Sequence, residues 1–424
     1  METSTTQGTG WKWLTAPWKE LPPLAPYGLA LGFGVRTMLA CSLALFAAFL
    51  IQLDAPYWSA LTVWIIANPH PVKTWGKGLF RITGTVIGAS MAIVLISLFG
   101  QSPEWLLAAL ALWSGLCTGL ACLLKNFHSY AAMLAGYTTL IVTVAVSGQP
   151  LHVFETAVAR ASAVTLGVMA VSLVSAVFHR DVSAESESTE RFTFEPQYRA
   201  AFIGGFRALV AVAVTGQFWI TSTSPTASGV MLLTGIMCGL FSTHPAPHHA
   251  SLSFGLAIAA SGLAAYLCLY YLVQRVETFP LFMLCLALFL IPGGMLMTFP
   301  RTSFFGLGFT VNFVNQVQPL NPMHYNLVTF LNNLSASMVA AVAAALTFLI
   351  IFPGVAVMIK EISLHGVYLA PLFATLAVSA LAYLPIHWLW SRLHLERYVW
   401  HRPVFELAVH LLLLRFVFTL LTHL

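Results

Sequence analysis

Long apolar runs separated by short polar stretches occupy almost the whole chain. Many of these runs reach about 18 residues or more, the length at which an α-helix crosses a ~30 Å hydrocarbon core. The pattern predicts two sets of six helices and then a final pair. The first set is expected near 35–52, 56–68, 79–99, 104–124, 129–147 and 153–178. The second set is expected near 203–220, 228–241, 252–274, 278–297, 303–317 and 327–352, and the final pair near 365–388 and 404–421.

The composition is that of a chain that lies mostly in lipid. Hydrophobic residues make up 58% of the 424 residues and charged residues only 8%, whereas a soluble domain carries roughly 25% charged residues. This deficit excludes a water-soluble enzyme, a nucleic-acid-binding domain and a disordered chain, and it predicts an all-α polytopic membrane protein. The net charge of +5 needs no nucleic acid partner, because cytoplasmic loops of membrane proteins collect Lys and Arg.

Motifs for enzymatic chemistry are missing from the sequence. The six cysteines lie inside apolar runs and form no CxxC pair, which argues against zinc and redox sites. No GxxxxGK[ST] phosphate loop occurs, so ATP is not expected to power the chain. We therefore expect no enzymatic activity, no cofactor and no metal. A transport function would draw on an ion gradient or on another subunit.

Basic residues predict the orientation of the helices. With the N-terminus inside, the outer loops carry Asp54, Glu104 and the pair Arg275 and Glu277, while most basic residues fall on the cytoplasmic side. This is the distribution that the positive-inside rule describes. The cytoplasmic basic residues are Lys73, Lys77, Lys125, Arg180, Arg191, Arg199 and Arg301.

The two sets of helices resemble each other at corresponding positions. A Gly-x-Arg triplet opens each set, Gly34-Val35-Arg36 in the first and Gly205-Phe206-Arg207 in the second. Arg160 of the sixth helix aligns with Asn332 of the twelfth. An even number of helices per set predicts parallel repeats related by an axis along the membrane normal, and transport sites commonly lie between such halves.

The pattern divides the chain into five segments. The expected bounds are 1–31 for an amphipathic lead-in at the cytoplasmic headgroup layer, 32–178 for the first transmembrane repeat, 179–200 for a cytoplasmic linker, 201–353 for the second repeat and 358–424 for a two-helix membrane module. The basic loop of the last module favours the cytoplasm, but the helix count places this loop outside. We interpret the module as a second chain joined to the first. A miscounted helix, or a segment at 353–364 that crosses or re-enters, is the alternative.

Short motifs in both halves are informative as a set. Those of the first half are Pro56–Thr62, with the sequence PYWSALT, and Arg81–Gly88, with the sequence RITGTVIG. Those of the second half are Pro300-Arg301-Thr302, Gly306–Phe309, Asn312-Phe313, Asn321–Met323 and Phe330–Asn332. Together, over about residues 25–352, they resemble the fusaric acid resistance and aromatic acid exporter family. The segment 358–424, with Val399–Pro403, resembles the small two-helix membrane protein encoded beside such exporters.

The resemblance implies a protein of the bacterial inner membrane that exports aromatic or other small organic carboxylates. It also implies a periplasmic adaptor protein and an outer-membrane channel as partners beside the lipid bilayer, and it leaves open whether the chain forms a homo-oligomer. Exporters of this family usually carry a cytoplasmic domain where this chain has the linker at 179–200. We expect a secondary transporter driven by protons. A passive anion channel and an assembly scaffold of an efflux complex are the alternatives.

Arginines inside the apolar runs are the main candidates for binding a carboxylate. Such an exporter needs flat apolar walls for the ring and a cation for the carboxylate, which the planar fork of Arg binds with two hydrogen bonds. Arg160 is the best candidate, because a charge at that depth is costly unless it faces a polar cavity or a partner. The alternatives are a structural pair with Glu155 or with backbone carbonyls, or a side chain that extends outward to the membrane surface. The proposed substrate-binding residues are Arg160, Arg81, Arg36, Arg207, Thr85, Tyr57, Trp58, Asn312, Asn315 and Asn332.

The other members of this set each have a structural alternative. Arg81, beside small residues that permit close helix packing, could be an interfacial anchor. The arginines of the two Gly-x-Arg triplets could be topology anchors, and the Tyr-Trp pair could belong to an aromatic belt. The asparagines could form hydrogen bonds between helices.

Proton coupling would need a titratable group that reaches both sides of the membrane. Asp54 and Glu155 are the carboxylates that fall in or beside the first twelve helices and avoid the obvious loops. A carboxylate that carries protons across the membrane is expected to be buried in the protein. Asp54 could equally lie in a wet loop at the outer face, and Glu155 could be interfacial.

Overall fold

The chain folds into α-helices at the positions that the hydrophobic runs predict. The computed structural model describes residues 25–68, 71–178, 197–222, 224, 226–244, 246–323 and 325–351, together with 362–364, 367–369, 409 and 413. Within those residues the helices are α1 (Ala25–Leu50), α2 (Tyr57–Ile66), α3 (Pro71–Phe99), α4 (Pro103–Leu123), α5 (Asn126–Ala145), α6 (Val153–Val177), α7 (Tyr198–Thr221), α8 (Ala227–Phe241), α9 (Pro247–Leu267), α10 (Phe279–Thr298), α11 (Ser303–Val317) and α12 (Leu327–Ile350). The predicted all-α membrane architecture is therefore confirmed.

Helix starts follow local chemistry. Proline occupies the first turn of α4, α9 and α10, where its missing N–H costs nothing because that N–H would have no intrahelical partner. At α12 the side chain of Asn326 accepts a hydrogen bond of 3.0 Å from the backbone N–H of Thr329, which is the usual arrangement of an N-cap. The helices α3, α7 and α9 begin several residues before the hydrophobic runs do, because polar residues at their ends interrupt the apolar pattern.

Two classes of helix can be distinguished by length and polarity. Eight helices are long and apolar enough to cross a membrane in the described part of the chain, namely α1, α3, α4, α6, α7, α9, α10 and α12. The helices α2, α8 and α11 have only 10, 15 and 15 residues, and α5 carries many polar side chains. These four helices pair with one another, α2 with α11 and α5 with α8.

Helix pairing follows the same scheme in both sets. In the first set α3 packs on α5 and α6, and α2 packs on α6; in the second set α9 packs on α11 and α12, and α8 packs on α12. The contacts between the sets are matched as well, since α1–α10 corresponds to α7–α4 and α2–α11 corresponds to α8–α5. Shifting every helix by six positions converts one group of contacts into the other, which supports the predicted repeat.

Glycines bring the helices of the two sets into backbone contact. In the α4–α7 pair, a Cβ added at Gly205 would lie 2.7 Å from the carbonyl oxygen of Gly115, and one added at Gly115 would lie 2.9 Å from that of Gly205. In the α1–α10 pair, a Cβ added at Gly294 would lie 3.2 Å from the Cα of Gly34. Small residues permit such close crossings in membranes. Gly34 and Gly205 are the glycines of the two Gly-x-Arg triplets, so each triplet marks a crossing between the sets.

The C-terminal module differs from its prediction where it is described. Strands β1 (Ile362–Leu364) and β2 (Val367–Leu369) pair antiparallel, with Ile362 opposite Leu369. The prediction of a helix from about 365 is therefore wrong for the residues of β2. Two short runs with branched and aromatic residues, joined by a two-residue segment that contains glycine, favour a hairpin. Val409 and Leu413 are helical, as predicted. The rest of the module, residues 1–24 of the lead-in and residues 179–196 of the linker lie outside the described residues.

Candidate functional site

Arg160 is a buried cation that stacks on an aromatic ring. It lies about two turns into α6, with 4% of its surface exposed, and its Cζ is 3.5 Å from the ring centre of Trp58 on α2. Its Nε and Nη1 atoms donate no hydrogen bond to any described residue. Burying a charged donor without an acceptor is costly, so this guanidinium is available for an anion.

Arg81 is held by neutral oxygens from two other helices. It lies on α3 and is 1% exposed. Its Nε donates to Thr62 Oγ1 on α2 at 3.3 Å, and its Nη1 donates to the Tyr130 hydroxyl on α5 at 2.6 Å. Tyr137, two turns further along α5 on the same face, lies near both Arg81 and Arg160. The positive charges of the two arginines are close enough to repel each other.

Lys77 adds a third cation on the same side of α2. Its Nζ donates to the backbone oxygen of Ile65 at 2.6 Å and lies 5.5 Å from the ring centre of Tyr130. Lys77, Arg81 and Arg160 thus contact α2 at three successive turns, because Trp58, Thr62 and Ile65 are spaced by four and three residues and share one face. We call these three basic side chains the cation column.

The sequence predicted that Lys77 lies on the cytoplasmic side, just before a helix expected from 79, and Tyr130 and Tyr137 were not among the selected residues. The structure places Lys77 on α3, which begins at Pro71. The available signal was periodicity, since Lys77 and Arg81 are four residues apart and the two tyrosines seven apart. Such spacings put each pair on one helix face.

Thr85 and Tyr57 lie next to this group. Thr85 follows Arg81 by one turn on the same face of α3, and its buried hydroxyl has no hydrogen-bond partner among the described residues. Tyr57 interacts electrostatically with Arg160, and its ring centre is 5.2 Å from that of Trp58. The aromatic pair therefore packs inside the protein beside the cation column, which favours a role there over a place in an interface belt.

The carboxylates lie away from the cation column. In the described ranges the acidic residues are Asp54, Glu104, Glu155 and Glu277, and all four are exposed. Glu155 bonds His152 Nδ1 at 2.7 Å, with both side chains exposed, so the alternative pairing of Arg160 with Glu155 is absent. Proton coupling through Asp54 or Glu155 stays a prediction, and burial does not support it.

The asparagines of the second set have no hydrogen bond to the cation column among the described residues. Asn312 is buried and donates to the oxygen of Gly308 in its own helix at 2.8 Å, while Asn315 and Asn332 are partly buried. Among the described residues, no hydrogen bond joins any of the three to the cation column.

The second set of helices lacks the aromatic and basic residues found at the matching positions of the first. The helix α8, the counterpart of α2, begins Ala227-Ser228-Gly229 without an aromatic residue, and α12 has the neutral Asn332 where α6 has Arg160.

The arginines of the two triplets bind helix C-termini. Arg36 Nη2 donates to the backbone oxygen of Asn68, just after α2, at 3.0 Å, and Arg207 Nε donates to that of Ile351, just after α12, at 2.9 Å. Carbonyls at a helix C-terminus have no intrahelical partner and carry partial negative charge, so a guanidinium stabilises them. These contacts favour the structural alternative for both residues, and a substrate role for them stays a proposal.

The replacement of Arg207 by methionine tests that structural role. It leaves the Ile351 carbonyl without its donor, so we expect the free energy of unfolding to fall by about 1–3 kcal/mol. Thermal unfolding of the purified protein in detergent measures the effect. Unchanged stability together with lost transport would instead indicate that Arg207 binds substrate.

Comparison with known proteins agrees with this architecture. The profile of the fusaric acid resistance protein family matches residues 30–188 and 179–368, and a profile of proteins of unknown function, DUF1656, matches residues 361–415. No solved structure matches the chain.

Curated relatives carry the name p-hydroxybenzoic acid efflux pump subunit AaeB. That of Pectobacterium carotovorum is 33% identical over 179 residues, which is 40% of this chain and 27% of the relative. That of Enterobacter cloacae is 34% identical over 155 residues, 34% of this chain and 24% of the relative. That of Edwardsiella ictaluri is 33% identical over 160 residues, 36% of this chain and 25% of the relative. The chain thus matches about a quarter of the length of these relatives.

Proposed function

The chain belongs to the fusaric acid resistance protein family, and from that membership we propose that it is a secondary transporter exporting aromatic or other small organic carboxylates. Its long apolar helices and its relatives make it a multi-pass protein of the bacterial inner membrane. The relatives are named for the efflux of p-hydroxybenzoic acid. We propose a substrate of the same chemical class, an aromatic carboxylate, for this chain.

Arg160 carries the proposal. A carboxylate placed against its unpartnered Nε or Nη1 would receive a charge-assisted hydrogen bond, and such bonds are about twice as strong as those between neutral groups. The same carboxylate would offset the repulsion between Arg160 and Arg81. No described carboxylate lies at this position, and an anionic substrate would supply the counter-charge.

Aromatic side chains around Arg160 suit a substrate with a ring. Trp58 stacks on the guanidinium, Tyr57 lies against Trp58, and Tyr137 on α5 interacts with both arginines. Flat rings of this kind gain stacking and dispersion energy with an aromatic ligand. These side chains would therefore favour an aromatic carboxylate over an aliphatic one of equal charge.

Energy coupling and assembly are further parts of the proposal. Protons would drive export, with Asp54 and Glu155 as the candidate carboxylates. The relatives are named subunits of a pump, which supports assembly with a periplasmic adaptor and an outer-membrane channel. A passive anion channel is the second candidate, because a column of fixed positive charge also suits a conduction path for anions.

Uptake of labelled p-hydroxybenzoate into inverted membrane vesicles tests the proposed function. We expect accumulation above the bath concentration that collapses when an uncoupler is added, with vesicles lacking the protein as the baseline. Flux that only equilibrates would favour the channel. Flux at the baseline level would contradict transport of this substrate class and favour a scaffold.

A further inference from the structure

Lys77 has contacts that a simple topology anchor does not need. An anchoring lysine keeps its ammonium in the water at the membrane surface, whereas the Nζ of Lys77 donates to the Ile65 backbone oxygen in the last turn of α2. Among the described residues, the Lys77 ammonium uses one of its three N–H donors, in this hydrogen bond to Ile65. Two donors therefore remain for a ligand.

Tyr130 connects Lys77 with Arg81. Its ring faces the ammonium of Lys77, with 5.5 Å between Nζ and the ring centre, and its hydroxyl accepts a 2.6 Å hydrogen bond from Arg81 Nη1. Lys77 and Arg81 repel each other, as like charges four residues apart on a helix do. A carboxylate at this level would offset that repulsion, and Tyr130 would supply an aromatic surface for its ring.

We propose that Lys77 and Tyr130 form a second carboxylate site, the inner site, which receives the substrate from the cytoplasm before it moves to Arg81 and Arg160. This inference rests on the proposed function and specifies its path. The predicted orientation places the start of α3 at the cytoplasmic side, so Lys77 is the first cation of the column that a cytoplasmic substrate meets.

The spacing and the chemistry of the cation column favour a stepwise movement of the substrate toward the outer face. Lys77 and Arg81 are separated by four residues of α3, which is about 6 Å along the helix axis, so a carboxylate can reach the second cation as it leaves the first. An ammonium binds a carboxylate as a point charge, while a guanidinium binds it as a fork. The inner site is therefore the weaker of the two, and conduction requires sites from which a ligand can leave.

Initial rates of p-hydroxybenzoate uptake into inverted vesicles, measured over a range of concentrations, test the inner site. We expect Lys77→Gln to raise the half-saturating concentration at least tenfold, equivalent to about 1.4 kcal/mol, with the maximal rate preserved within about twofold. Lys77→Arg retains the charge and should restore the half-saturating concentration to within about threefold of the unmodified protein. Lys125→Gln removes an exposed lysine on the same side of the membrane and serves as the matched control.

Two results would overturn the inner site. One is a fall in the maximal rate of Lys77→Gln with an unchanged half-saturating concentration. The other is an equal change in Lys125→Gln, which would indicate general attraction of anions to the surface. If Lys77→Gln does not reach the membrane, Lys77→Met replaces it with the same expectation, since an apolar side chain is tolerated in lipid. Failure of the proposed function is distinct, because the unmodified protein would then show no saturable uptake.

Discussion

Arg160→Gln should lower p-hydroxybenzoate transport at least about 10-fold, because a hydrogen bond to a charged group contributes roughly 1.5–3 kcal/mol. The same variant should be at least as stable as the unmodified protein. Glutamine removes a buried charge whose Nε and Nη1 have no partner among the described residues, and removing an uncompensated buried charge is favourable. Arg160→Lys keeps the charge without the fork and should retain an intermediate rate.

This combination separates a binding role from a structural one. Vesicle uptake normalised to protein abundance gives the rate, and thermal unfolding in detergent gives the stability. Arg275→Gln is the matched control, since Arg275 is an exposed arginine near the predicted outer face. A variant that unfolds at lower temperature, or that transports normally at equal abundance, would contradict the assignment of Arg160.

Gly205→Leu should abolish folding of the two halves against each other. The Cβ alone would lie 2.7 Å from the carbonyl oxygen of Gly115, and backbone cannot move aside as a flexible side chain can. The remaining atoms of leucine would force α4 and α7 apart along their whole contact. We expect a cost at or above ~3 kcal/mol, the upper end of the range for overpacked cores.

Gly32→Leu is the control for this change. Gly32 is also a helical glycine in the membrane region, but a Cβ there meets no atom within 4 Å. The amount of monodisperse protein after solubilisation in detergent is the measurement. We expect a near-complete loss for Gly205→Leu and none for Gly32→Leu. Equal yields of the two variants would contradict the importance of the α4–α7 crossing.

Sequence alone was sufficient for the first twelve helices, because length and apolar composition are local properties; it failed at Val367–Leu369, which form a strand. It was also sufficient to select Arg160, because a charge inside an apolar run is conspicuous without any tertiary information. It placed Lys77 on the cytoplasmic side but could not give its neighbours, because Ile65 and Tyr130 come from other helices. The polar start of α3 masked the fact that this lysine is helical.

The roles of the remaining candidates depended on partners that only folding brings together. The Gly-x-Arg triplets were recognised as a repeated pattern, but their meaning needed the helix that each glycine crosses and the C-terminus that each arginine binds. Asp54 and Glu155 were selected because they avoid the obvious loops, and a sequence cannot show that both side chains are exposed. Whether a side chain near a helix end is exposed depends on where the neighbouring helices end.

The unequal chemistry of the two sets has a consequence for how such a protein can diversify. All three basic residues of the cation column lie on α3 and α6, whereas α8 begins with small neutral residues and α12 has an amide in place of Arg160. Because the basic residues of the cation column lie in the first set of helices, mutations in the second set leave them unchanged. Under the proposed function, changes in the second set would alter the width of the substrate path while the cation column keeps its preference for anions, so new substrates of the same charge would be within reach of single mutations.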